Sequence, residues 1–171
     1  PLRKALIESG LGEDIAGVGL EAELRQLYFS VGLKGIDPAE AQEVEMLVLE
    51  TLTDLVEDGI AADAIEAAVN SVEFSLRENN SGRFPRGLSV MVRSLTTWLY
   101  DGDPLALLAY EAPLASIKAR LAAGEKLFEN LIRTWLLDNP HRATVVLMPD
   151  HRLAARRESE ERAILDRLHA R

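Results

Sequence analysis

A few side chains in this sequence are of types that could do chemistry, and their spacing argues against it. Its three histidines are His141, His151 and His169. Imidazole can hold a metal, but a zinc site needs three or four converging donors. No pair of these histidines is spaced to meet on one helical face. Glu158, Glu160 and Glu161 could act as paired carboxylates, yet they alternate with Arg156, Arg157 and Arg162, the pattern of a salt-laced surface. Arg83 and Arg86 flank Phe84-Pro85 and could hold a ligand carboxylate. The local alternative is that Phe84 staples a helix start while an arginine pairs with Glu73 or Glu78. Gly17-Val18-Gly19 would cradle a phosphate only after a strand and before Gly-Lys-Ser/Thr, so it reads as a turn in a loop. Cysteine is absent, which removes disulfides and thiolate metal sites and fits a reducing compartment. No Ser/His/Asp or Cys/His set can be assembled. No residue is therefore assigned a catalytic, cofactor-binding or metal-binding role.

The elements that would position any site are easier to read. The chain is organised around 72–88, which reads as a helix end, a polar break and a helix start. Asn79, Asn80, Ser81 and Gly82 are turn formers, and Pro85 cannot continue a helix. Before the break Ile65, Val69, Val72 and Leu76 share a helical face, and Phe74 lies off it, as in a helix packed between neighbours. After it Leu88, Met91, Val92, Leu95, Trp98 and Leu99 repeat at three and four. Upstream, a short helix with Leu2, Leu6 and Ile7 inward ends at Ser9-Gly10-Leu11-Gly12. A strand runs from Leu24 to Lys34, with Leu27, Phe29, Val31 and Leu33 on the buried face. Asp37-Pro38-Ala39-Glu40 is a helix start whose Asp37 can accept a backbone N–H. That helix carries Val44, Leu47, Val48, Leu52, Leu55 and Val56 inward and stops near Gly59. Asp63 or a neighbour starts the next.

Downstream, Asp103-Pro104 begins a short helix through Leu105, Leu108 and Ala109. Another starts at Pro113, with Leu114, Ile117 and Leu121 inward and Gly124 as punctuation. Leu127, Phe128, Leu131, Ile132 and Trp135 form the apolar face of the next, which Asn139-Pro140 stops. Both tryptophans, Trp98 and Trp135, read as core. Arg142 to Met148 reads as a second strand, rich in β-branched residues, with Val145 and Leu147 inward. Two strands so far apart cannot form a hairpin and belong to a larger sheet. The expected fold class is α+β, mostly helical, with several helices on one face of a small, partial antiparallel sheet. Residues 1–150 form this body. Residues 151–171 start a charged helical linker whose thin apolar stripe is Ile164, Leu165 and Leu168.

Composition bounds the rest. The 171 residues are 47% hydrophobic, enough for one core. A net charge of −9 argues against a nucleic-acid surface, and no apolar run is long enough for a bilayer. The excess acid reads first as a solubility device and second as a field that would steer basic peptides. The chain opens on Pro1 and closes inside a charged pattern, so it reads as a piece of a longer protein.

Several separated blocks carry a resemblance. Phe74-Ser75-Leu76-Arg77-Glu78-Asn79-Asn80 followed by Phe84-Pro85-Arg86-Gly87-Leu88 resembles the presequence protease branch of the pitrilysin/insulinase family. Phe29-Ser30-Val31-Gly32-Leu33-Lys34-Gly35, Trp98-Leu99-Tyr100-Asp101-Gly102-Asp103-Pro104 and Asn139-Pro140-His141-Arg142 extend it in the same order. Members are large zinc metalloendopeptidases that close two halves around a chamber and degrade short peptides. The resemblance implies the latter part of a second α+β domain and the start of the linker between the halves. The family's H-x-x-E-H signature is absent here, so no cofactor is expected in this chain and zinc is expected in the parent protein. Implied partners are the parent's other domains and its peptide substrate, with no nucleic acid and no membrane. Self-association through exposed strand edges is also expected. The implied compartment is a bacterial-type cytoplasm or an organelle matrix. The function implied is that of a non-catalytic chamber-wall segment. Enzyme status is uncertain, with no activity expected of this chain alone for want of the signature and zinc metalloendopeptidase activity expected of the parent protein. The alternative is a non-enzymatic scaffold or interaction module of the same fold. An H-x-x-E-H motif encoded upstream of Pro1 would separate the two.

Overall fold

Asp37 starts the helix on which the rest of the core is built. In the computed structural model, which describes residues 1–79 and 82–169, its Oδ1 accepts a hydrogen bond from Ala39 N at 2.9 Å. Pro38–Glu40 form a 3₁₀ turn, and α2 continues it over Ala41–Glu57. Val44, Leu52 and Val56 are buried along one face, while Glu43, Glu45, Glu50, Asp54 and Glu57 face water. The i, i+4 stripe makes one side of the helix apolar, and burial of that side holds it. α1 (Leu2–Glu8) packs on it through Leu6, which is 1% exposed. Ile7 was expected inward but is 60% exposed, because it lies about 100° around the helix from Leu6.

The fold is α+β and mostly helical, with a small antiparallel sheet of two strands. β1 (Asp14–Glu21) pairs with β2 (Tyr28–Lys34), and β2 contacts α2. This corrects the loop expected at Gly17-Val18-Gly19. Those glycines sit inside β1, at φ 88° and 74°, where the register slips between Ala16 and Gly19. The slip is a bulge, and a bulge breaks the period-two pattern that reveals a strand. A Cβ on Gly17 would lie 2.4 Å from the Ser30 carbonyl oxygen, so only glycine fits. β2 is also shorter than expected. Leu24 and Leu27 stand outside it and are exposed, and Phe29 is 39% exposed.

α3 (Ala62–Glu78) ends at Asn79 in the left-handed region, with Asn79 N donating to Ser75 O at 3.0 Å. The turn expected at Asn80 and Ser81 lies outside the described residues. Pro85 caps α4 (Arg86–Trp98). The two helices fall where the break predicts, but they are not the centre of the packing. Neither buries a residue fully, and Val72, Phe74 and Trp98 are 54%, 68% and 63% exposed. Among the described residues neither helix is one of the elements in close contact with α2.

The short helix expected over Leu105–Ala109 is a run of turns, tied by Leu108 N to Leu105 O and by Leu105 N to Asp103 Oδ1. α5 (Glu111–Ala122) starts two residues ahead of Pro113, which is tolerated in a first turn where backbone donors lack partners. α6 (Leu127–Ile132) buries Leu127 and widens over Arg133–Leu137 into a π turn, with Asp138 N donating to Arg133 O. Leu131 and Trp135 were expected in its core face and are 45% and 63% exposed. The strand expected over Arg142–Met148 is unpaired, and Val145 and Leu147 are 75% and 89% exposed. A strand exists only through a partner's backbone groups, and β1 and β2 satisfy each other. Thr144 Oγ1 instead donates to Glu45 Oε2 on α2. α7 (Leu153–His169) closes the described chain with Ile164, Leu165 and Leu168 all exposed. Among the described residues no helix is long and apolar enough to cross a membrane.

Candidate functional site

The side chains with the richest polar connections lie between α3 and α5. Glu73 lies at i, i+4 from Arg77, one helical turn away, and accepts from Arg77 Nη2 at 2.5 Å. Its other carboxylate oxygen accepts from Lys118 Nζ of α5. Tyr110, Glu111, Leu114 and Ala115 complete an open cleft of about 600 Å³. The Lys118 hydrogen bond holds the Glu73 carboxyl below its ordinary range, burial works against it, and the Arg77 charge adds to the lowering. The two carboxylates and the two cations balance, so the cleft presents no strong field of one sign. It holds no thiol, imidazole or activated hydroxyl.

A second, more apolar groove of about 330 Å³ runs between the hairpin tip and α4. Ala22 and Glu23 line one side, and Phe84, Ser89, Val92 and Arg93 line the other. Among the described residues that line it, Arg93 is the cationic side chain and Glu23 the acidic one.

The residues singled out from sequence are scattered. Arg83 and Arg86 stand at the start of α4, and among the described residues no ion pair joins either to Glu73 or Glu78. Glu73 is taken by Arg77 and Lys118 instead. His141 donates its backbone N–H to Asn139 Oδ1, and His141, His151 and His169 are all exposed. Among the described residues no three His, Asp or Glu side chains converge as a metal would require, so the side chains present do not fit a zinc site. Glu158 is joined to Arg162 at 3.0 Å, and Arg156 to Asp150 at 3.2 Å, which is the salt-laced surface the alternation predicts.

One residue escaped the sequence reading. Glu129 of α6 is 6% exposed, and its Oε1 accepts from Ile60 N at 3.1 Å across 69 positions. The available signal was a lone carboxylate in the apolar run Leu127, Phe128, Leu131, Ile132. A buried charge there requires a donor from another part of the chain.

No family model matches the chain. Among curated proteins it is similar to presequence protease 1, chloroplastic/mitochondrial, of Arabidopsis thaliana, at 47% identity over 99% of the chain and 16% of that protein. It is 37% identical to protein HypA of Clostridium perfringens over 98% of the chain and 17% of that protein. It is 34% identical to the mitochondrial presequence protease of Mus musculus over 88% of the chain and 14% of that protein. The chain thus spans about one sixth of the length of the relatives it matches.

Proposed function

We propose, because this chain belongs to the presequence protease branch of the pitrilysin/insulinase family, that it forms a non-catalytic wall segment of a zinc-dependent metalloendopeptidase acting on short peptides. The observation that carries the reading is the match along almost the whole chain to a presequence protease of which it spans only 16%. The cleft chemistry agrees with it. Glu73 is paired with both Arg77 and Lys118, which leaves it no role as a free general base. Zinc would supply the activated water of such an enzyme. Among the described residues no three His, Asp or Glu side chains converge to hold zinc. Residues 1–150 serve as the body of an α+β domain and residues 151–171 as the beginning of a helical linker. The remaining domains are its partners, and the peptide is held between them. Closing two halves around a peptide is a gating step, and a helix with an unpartnered stripe such as Ile164, Leu165 and Leu168 suits it.

Metal analysis of the dialysed chain, paired with a fluorogenic peptide assay, tests this. The expected result is no stoichiometric zinc and no turnover. Metal-dependent cleavage by the chain alone would overturn the reading.

A further inference from the structure

We propose that residues 142–148 are a self-complementary edge strand whose partner is the same segment of a second copy, antiparallel across a two-fold axis with Val146 opposite Val146. The inference goes beyond the wall-segment reading and does not rest on it.

The segment is ready to pair. From Arg142 to Met148 the backbone makes no helix, turn or bend, and every residue is exposed. Exposure alternates along it, 75% at Val145, 45% at Val146, 89% at Leu147 and 61% at Met148. That period of two marks an extended chain with one face turned to water. The other face is seated, because Thr144 Oγ1 donates to Glu45 Oε2 of α2 at 2.8 Å. Among the described residues no backbone N–H or carbonyl from Ala143 to Met148 is hydrogen-bonded within the chain. A row of such groups along an apolar segment is a template for another strand. Each copy already holds its segment against its own α2, so little further ordering is needed when two copies meet.

Charge and proline set the register. A fitting partner places an acid opposite Arg142 and a base opposite Asp150. A second 142–150 segment does both when it runs antiparallel and centres on Val146. Arg142 then stands opposite Asp150 at each end, Thr144 opposite Met148, and Val145 opposite Leu147. A shift of one residue either way sets Arg142 against Pro149 or His151 instead. Asp150 accepts from Arg152 N and pairs with Arg156 at 3.2 Å, and its carboxylate has lone pairs for one more cation. Pro149 has no N–H, so it belongs in a non-hydrogen-bonded pair, opposite Ala143. The hydrogen-bonded pairs are then Val146 with Val146, Thr144 with Met148 and Arg142 with Asp150. Val145 and Leu147 meet in the closer, non-hydrogen-bonded pairs, which covers the most exposed side chains of the valine-leucine run.

The test begins with the unaltered full chain. Sedimentation velocity over a concentration series reads the dimer, and amide hydrogen exchange at low and high concentration reads the strand. The expected result is a monomer–dimer equilibrium in which the amides of Thr144, Val146 and Met148 slow with concentration and those of Val145 and Leu147 do not. R142D opposes two carboxylates at each end, and D150R opposes two guanidinium groups. Each variant alone should dimerise roughly 10-fold more weakly or worse, because both end pairs turn repulsive. An equimolar mixture makes both pairs attractive again in one heterodimer and should recover the parent affinity. A parent chain that stays monomeric overturns the proposal. So does slowing at Val145 and Leu147 instead, slowing confined to the outer edges of the hairpin, or a mixture no tighter than its components.

Discussion

Glu73 and Lys118 lie 45 positions apart in sequence and are joined directly, carboxylate to ammonium, tying α3 to α5. Arg77 takes the other oxygen of the same carboxylate. Neither α3 nor α5 has a buried residue, so this pair should govern their mutual order more than an ordinary surface pair would.

The clasp should be sensitive to acid. Glu73 is held below its ordinary value of 4.5, first by the Lys118 hydrogen bond, against burial, and then by Arg77. A lowered folded-state pKa gives stability that is complete above the ordinary value and is lost as pH falls through the lowered one. No change is expected between pH 7 and about 5. Below the ordinary carboxyl range, amide shifts of α3 and α5 should move together, and K118M should abolish that joint response. Independent titration of the two helices in the parent chain would refute the clasp.

Core energetics should separate two adjacent residues. Leu6 is 1% exposed and Ile7 60% exposed. Leu6→Ala should cost about 3 kcal/mol in chemical denaturation, since it removes packed methyl groups and leaves a cavity. Ile7→Ala should stay within about 0.5 kcal/mol. Equal effects would mean that α1 does not seat on α2 through Leu6.

The bulge in β1 should tolerate one glycine replacement better than the other. A Cβ at Gly17 meets the Ser30 carbonyl oxygen at 2.4 Å, whereas at Gly19 it meets nothing within 4 Å. Both have positive φ, so each Ala variant carries roughly 1–2 kcal/mol of backbone strain. Gly17→Ala should cost clearly more than Gly19→Ala by urea titration. A reversed order would place the bulge elsewhere in the strand.

The chain by itself should associate. Val145, Leu147, Phe74 and Trp98 are 75%, 89%, 68% and 63% exposed, and the hairpin leaves two open edges. Light scattering should show a mean mass that rises with concentration. A constant monomer mass up to high concentration would count against it.

Local chemistry determined most of the elements. Asp37-Pro38 starts α2, Asn79 ends α3, Pro85 starts α4 and Asn139-Pro140 stops the helical run, because each residue acts on a backbone within a turn or two of itself. The blocks around Phe74–Asn79 and Phe84–Leu88 likewise carried the family without any coordinates. Tertiary structure decided what lies far apart in the chain. A hydrophobic period marks a face suited to burial but cannot say what will cover it, so Trp98 and Trp135 looked like core and stand in solvent. A strand is completed by a partner's hydrogen bonds, so β1 arose from a glycine pair that read as a turn, while 142–148, richer in β-branched residues, remained unpaired. The joining of Glu129 to Ile60 across 69 positions has no local signature, because only the folded chain brings that donor to that acceptor.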